Sequence, residues 1–246
     1  MNLFRADLHV HTSASPDGRS SLEAVARAAS AAGLDAVAIT DHDLCTPVPA
    51  SLEGVLLIPG CEVSTRAGHI TGLFLDRPLP LEALGRLPAP EDAVAAIHQA
   101  GGLAVLAHPF QRSRDGARLA PAVPLLDGIE VWNSRADRNI HDANALAASF
   151  ARVCRLPAFG GSDAHCPQEV GGGYTIVEAD ELSLEAVKAA LRTGTARAEG
   201  RRGRAWYAAR SQLTKRRKAG ARPWSYVKWA AFAAKCCAQD IVWRGV

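Results

Sequence analysis

The sequence predicts an α/β fold made of strand-then-helix units, either closed into a barrel or wound as an open sheet. Two observations carry this expectation. Short apolar runs alternate with segments of helical periodicity between residues 3 and 196, the pattern of parallel α/β architecture. Histidines and acids gather at the carboxyl ends of those runs, where barrels and open α/β sheets build their active sites. A chain of 246 residues with 48% apolar content can bury one substantial core, so one domain plus an appendage is expected.

Strands are expected at "LFRADLHV", "DAVAIT", "VLLIPG", "ITGLFL", "LAVLA", "GIEVW", "LPAFGG" and "YTIVEA", each short and apolar enough to be buried. Three helices have readable ends. Ser20 and Glu23 form a capping box before "LEAVARAASAAG", which Gly33 closes. "PEDAVAAIHQAGG" opens at a proline and stops at glycines. "SLEAVKAALRTG" repeats that grammar with Ser183 as its cap. No low-complexity linker divides these elements; "APAVPLLDG" reads as a proline-rich loop within them.

Charge is unevenly placed. Of the 28 Lys and Arg residues, thirteen fall from Arg197 onward, against two of the 25 acids, Glu199 and Asp240. An acidic body therefore carries a basic tail, an asymmetry that points to a polyanionic partner for residues 201–246. The six cysteines show no C-x-x-C spacing, and "MNLFRADLH" lacks a charged n-region before a long apolar stretch. A reduced, cytoplasmic chain is expected. No transmembrane segment is visible, because "YVKWAAFAAKCCAQDIVW" is broken by Lys228, Lys235 and Asp240.

His9 and His11 close the first strand in "DLHVHTSASPDG", and His42 follows the second in "TDHD". Glu62 follows "VLLIPGC", His108 follows "LAVLA", and Asp163 and His165 follow "PAFGGS". Alternate strand residues share a face, so His9 and His11 can aim at one point, as can Asp163 and His165. Imidazoles and carboxylates without cysteine suit Zn²⁺, Mn²⁺ or Fe²⁺, and so many donors suggest two to three divalent ions. Asp7, Asp41 and Asp43 read as acceptors that orient those imidazoles. His98 and His141 read as helical residues, Cys61 as core, and His69 in "GHITG" is placed to reach a substrate.

Absences narrow the chemistry. Residues 1–196 hold a single lysine, Lys188, in a helical segment away from these strand ends. A Schiff base or a carboxylated bridging lysine therefore has no candidate, and Glu62 is the best-placed bridging carboxylate. No G-x-S-x-G or P-loop pattern is present, which argues against a serine nucleophile and against a P-loop nucleotide site.

In their order and content, "DLHVHTSASPDG", "AITDHD", "IPGCEVS", "GHITGLFL", "LAVLAHP", "GIEVWNSR" and "FGGSDAH" resemble the PHP (polymerase and histidinol phosphatase) family, over roughly residues 3–180. The closest branch is that of stand-alone metal-dependent phosphoesterases. The resemblance implies a distorted (β/α)₇ TIM-like barrel with ions at its strand ends. It suggests one ion held by His9, His11, Glu62 and Asp163, and a second shared by Glu62 and His108. Asp17, His42 and His165 would hold a third. Asn133 stands where many relatives offer the second ion a histidine or cysteine, and amide oxygen is the weaker ligand.

The implied reaction is hydrolysis of a phosphate ester by a hydroxide shared between two ions, with Glu62, Asp163 and His165 as catalytic residues. The substrate would be a phosphomonoester, a nucleotide or an oligonucleotide end. Arg135 is the candidate phosphate clamp, because its planar fork matches phosphate. Residues 1–200 are read as the barrel and 201–246 as the basic extension. There "KRRK" with Trp206, Tyr207, Trp224 and Trp229 fits nucleic acid, an anionic membrane surface, or a helix packed on the barrel. The alternative function is a non-catalytic metal-binding scaffold whose tail does the binding.

Overall fold

The computed structural model describes residues 1–116, 118 and 120–243. Its elements run β1 (Asn2–Val10), α1 (Leu22–Ala31), β2 (Ala36–Ile39), β3 (Ser51–Leu52), β4 (Val55–Thr65), β5 (Gly68–Leu73), α2 (Leu81–Leu84), α3 (Pro90–Gln99) and β6 (Leu103–Ala107). They continue with β7 (Gly128–Asn133), α4 (Ala143–Cys154), β8 (Ala158–Gly161), β9 (Gly173–Ala179), α5 (Leu184–Thr193), β10 (Arg197–Gly200), α6 (Ala205–Lys218) and α7 (Trp224–Trp243). All eight expected strands form. Ser183 caps α5 through the Ala186 N–H, and Pro90 opens α3. The cap of α1 is Ser21 rather than Ser20: its hydroxyl accepts from the Ala24 N–H, and Ser20 is buried in the preceding loop.

The strands make one mixed sheet in the order β10-β9-β1-β2-β4-β5-β6-β7-β8, with β3 on β4. The strand-then-helix pattern predicts parallel pairing, which β1–β2, β2–β4, β6–β7 and β7–β8 follow, while β1–β9, β9–β10, β4–β5 and β5–β6 are antiparallel. Only Arg66 and Ala67 join β4 to β5, too few for the crossover a parallel pair needs. The sheet curls until β8 meets β1 and β9, which makes a nearly closed, distorted barrel. Val10 and Ala164 form a parallel bridge, and the Thr175 hydroxyl bonds both the N–H and the carbonyl of Gly160.

Period-two alternation builds two core layers from one strand. Ala36 and Ala38 of β2 face the interior with Leu8, Ile58, Leu103, Phe159 and Val177. Val37 and Ile39 face outward onto Val25 and Ala29 of α1. Closure depends on the glycines of β8. A Cβ on Gly161 would lie 2.5 Å from His9 Cβ and 3.0 Å from its backbone nitrogen. Gly161→Val is therefore expected to cost roughly 1–3 kcal/mol through overpacking. Thermal unfolding of metal-free protein checks this: a fall of about 2–10 °C in Tm is expected, and an unchanged Tm would contradict the close approach.

The tail is a helical hairpin docked on the barrel. Asp240 of α7 accepts the Ala205 and Trp206 N–H groups at the start of α6 (2.6 and 3.1 Å). Trp206, Trp229, Phe232, Ala233 and Cys236 pack between the two helices. Among the described residues no helix is long and apolar enough to cross a membrane. The last three residues of the expected extension, 244–246, lie outside the described residues.

Candidate metal centre

The carboxyl ends of β1, β2, β6 and β8 bring His9, His11, His42, His108, Asp163 and His165 to one end of the barrel. Glu62 joins them from within β4. His69 arrives from the amino end of β5, which sits at the same mouth because that strand runs antiparallel to its neighbours. His108 and Asp163 both adopt positive φ, 29° and 55°, a region that non-glycine residues seldom occupy. The surrounding structure holds that strain at two donor positions.

Glu62 is the hub. Its Oε1 lies 2.6 Å from His69 Nδ1 and 3.0 Å from His108 Nε2. Its Oε2 lies 2.8 Å from His42 Nδ1 and 3.4 Å from Nε2 of both His9 and His11. Asp163 Oδ1 stands 3.4 Å from His11 Nε2 and 3.8 Å from His9 Nε2. Across the mouth, Asp17 Oδ1 faces His165 Nε2 at 3.4 Å and His42 Nε2 at 3.6 Å. Four overlapping triads have donor atoms within 4.8 Å of one another: His9/His11/Asp163, His9/Glu62/His108, His42/Glu62/His69 and His11/His42/His165.

The outer atoms of these rings are anchored by the chain. His9 Nδ1 lies 3.0 Å from Glu130 Oε1, and His165 Nδ1 donates to the Asp163 carbonyl at 2.9 Å. His11 Nδ1 meets Ser15 Oγ at 3.2 Å, which itself donates to Asp41 at 2.6 Å. Each ring is thereby held with Nε2 turned inward, the arrangement found where imidazoles ligate metal. Asp7 acts on backbone rather than on a ring: it accepts the N–H groups of His9, Ser162 and Gly171. Asp43 likewise accepts the Ser64 N–H.

Electrostatics follow from this crowding. Burial works against ionising Glu62 and Asp163, yet the surrounding imidazoles hold both well below the usual carboxylate range. Asp17 is held down in the same way by His165 and His42. Burial disfavours charge on His42, but Glu62 and Asp17 outweigh it and raise its pKa to about 9. His11, buried beside His165 and His42, is pushed down to about 3. Protons on the rings thus balance the carboxylates, a role that divalent cations would take over if bound there.

The donor set passes a test of fit. Among the described residues, Glu62 Oε2 and Asp17 Oδ1 are buried and accept no well-aligned hydrogen bond, although imidazole nitrogens stand close by. Buried carboxylate oxygens seldom stay unsatisfied unless an ion or catalytic role explains them. Hard oxygens with borderline imidazoles suit Zn²⁺, Mn²⁺ or Fe²⁺.

Two of the expected residues occupy other roles. Asn133 does not join the donors. Its Nδ2 donates to Glu130 at 3.0 Å and its Oδ1 accepts the Arg135 N–H at 2.9 Å, so it braces Glu130 behind His9. His69, read as a substrate contact, touches Glu62 directly and belongs with the donors. Arg135 lines the mouth, with Nε and Nη2 on Glu169 at 2.6 and 2.5 Å and Nη2 also on Ser211 at 2.9 Å. Glu169 additionally accepts the His165 N–H at 3.0 Å. Cys61 is buried in the core, and His98, exposed on α3, pairs with Asp127.

Sequence reasoning missed Glu130 and Glu169. A lone acid inside the apolar run "GIEVW" is the available signal for Glu130, since a buried carboxylate needs partners. Nothing in "CPQEV" distinguishes Glu169 from a loop acid.

The model of the PHP domain matches residues 7–134, and that of the PHP-associated family matches residues 141–196. The chain belongs to the PHP domain family. This PHP chain is 32% identical over 148 residues to the uncharacterised protein MJ1587 of Methanocaldococcus jannaschii, a match covering 53% of this chain and 82% of that protein. Its fold resembles a two-domain Bacteroides vulgatus protein containing a predicted PHP-like metal-dependent phosphoesterase. The TM-score is 0.63 and the identity 23%, over 87% of this chain and 70% of that one. It also resembles the lesion-specific endonuclease Q of Pyrococcus furiosus (TM-score 0.57, 19% identity), covering 80% of this chain and 58% of that enzyme. At such identities these two likenesses show the fold alone.

Proposed function

We propose that this PHP chain is a metal-dependent phosphoesterase acting on a phosphomonoester, a nucleotide or an oligonucleotide end. The observation that carries the reading is Glu62: one fully buried carboxylate shared among five imidazoles, with one oxygen left unsatisfied. In this reading residues 1–200 form the catalytic barrel and residues 201–246 a basic extension.

Two to three divalent ions held by His9, His11, Asp17, His42, Glu62, His69, His108, Asp163 and His165 would acidify water and draw charge from a phosphoryl oxygen. The residues of the chain do the rest. Glu62 and Asp163 keep the rings in register, and Asp163, beside His9 and His11, is placed to take a proton from the attacking water. His165, opposite Asp17 at 3.4 Å, would steady the leaving oxygen. Arg112, Arg135 and Arg138 line the mouth together with the donors. Among the described residues Arg138 Nε is buried without a hydrogen-bond partner, and a guanidinium group matches phosphate. The mouth holds about 70 Å³, room for a phosphoryl group. It shares His69, His108, Gln111 and Arg112 with a groove of about 290 Å³, suited to the rest of the substrate.

The test is hydrolysis of an aryl phosphate and a panel of nucleotides and short RNA by Mn²⁺-loaded protein. Turnover that a chelator abolishes and added Mn²⁺ restores is expected. Metal-loaded protein inert towards the whole panel would leave the family's scaffold without this activity.

A further inference from the structure

Three contacts tie the hairpin to the loop that carries Asp17. Lys218, the last residue of α6, donates from Nζ to the backbone carbonyls of Ser13 (2.6 Å), Ser15 (2.7 Å) and Gly18 (3.0 Å). An ammonium has three protons to donate, and here each meets a carbonyl of the same short loop between β1 and α1. The loop turns sharply: the Ser13 N–H bonds the Ser20 carbonyl at 2.6 Å, and a Cβ on Gly18 would fall 1.8 Å from the Thr12 carbonyl oxygen. Asp17 sits between two of the clamped carbonyls, with its Oδ1 aimed at His42 and His165.

The helix that delivers this lysine is itself fixed. Its amino end is capped by Asp240, its middle is held by the Trp229 Nε1 donor on the Ala209 carbonyl (2.7 Å), and Ser211 meets Arg135. Gln239 of α7 reaches the Arg138 carbonyl at 3.1 Å. Lys218 is exposed like Lys215 and Arg217, its neighbours in "KRRK", and its ammonium is turned onto the three loop carbonyls.

We propose that Lys218 is a positioning residue: the C-terminal hairpin is a strap that holds the Ser13–Gly18 loop, and through it Asp17, against His42 and His165. The ion expected there depends on the metal-centre reading, whereas the clamp on the loop does not. The extension thereby becomes part of the site and gains a reason to sit at the barrel mouth.

The test compares full-length protein with its Lys218→Met variant, using Lys215→Met as a control that changes charge at the same helix end. Amide exchange of the peptide spanning residues 12–20 is followed in metal-free protein, and retained Mn²⁺ is counted after loading and desalting. In Lys218→Met the peptide is expected to exchange about fivefold faster or more, with the β-strands unaffected and about one ion per chain lost. Lys215→Met is expected to match the parent in both. Parent-like exchange and parent-like Mn²⁺ content in Lys218→Met would overturn the proposal. A parent protein that retains no Mn²⁺ would sink the metal centre instead, and the exchange comparison would still decide the role of Lys218.

Discussion

Glu62→Gln is expected to lower kcat/KM by a hundredfold or more, a loss of about 3 kcal/mol in transition-state stabilisation, and to strip the protein of most of its bound metal. Gln keeps the shape of Glu but brings no charge, and its amide turns N–H donors towards rings whose lone pairs must face inward. The fold is expected to survive, because buried imidazoles deprived of their counter-charge can shed protons rather than remain as unpaired cations. Metal content and turnover are measured together on the same preparation. Parent-like metal content with parent-like turnover would mean that Glu62 is not the shared carboxylate of this site.

The second large effect is expected at a residue that touches no ion. Glu130 is buried and divided between two tasks. Oε1 faces His9 Nδ1 at 3.0 Å, while Oε2 accepts the His108 N–H at 2.8 Å and the Asn133 amide at 3.0 Å. In Glu130→Gln one of those oxygens becomes an NH₂ group. If it faces His9, the ring must carry its proton on Nε2, which then points an N–H at the ions. If it faces His108 and Asn133, donors meet donors. Either way metal affinity is expected to fall roughly 10- to 100-fold, read by competition against a chelating dye. Unchanged affinity would remove Glu130 from behind His9.

These two residues show what the sequence conveyed and what it hid. His9, His11, His108 and Asp163 were legible because each lies at or just past a strand end, which fixes where a side chain can go; Glu62 was legible because it follows the apolar run "VLLIPGC", although β4 continues past it to Thr65. Glu130 was hidden by the same rule: it lies inside its strand, so it reads as part of a run rather than as a terminus. Asn133 was assigned a ligand's place through the family resemblance, and its hydrogen bonds to Glu130 and the Arg135 backbone give it a supporting one. The antiparallel β4–β5 hairpin was readable in principle from the two residues between its strands. β10, "RAEG", has no apolar pattern and exists by pairing with β9. The extension of α6 and α7 reads as a basic segment, with a helix packed on the barrel as one of three alternatives; its pairing into a hairpin was hidden because alanines such as Ala205 and Ala209 form part of the seam and alanine marks no face strongly.

The proposed function requires donors far apart in the chain to converge on divalent ions at one barrel mouth. Elemental analysis of purified protein, reconstituted with Mn²⁺ or Zn²⁺ and freed of excess metal, tests it most directly. Roughly two to three ions per chain are expected. Fewer than about one ion per chain, in protein whose folding is intact by thermal unfolding, would contradict it.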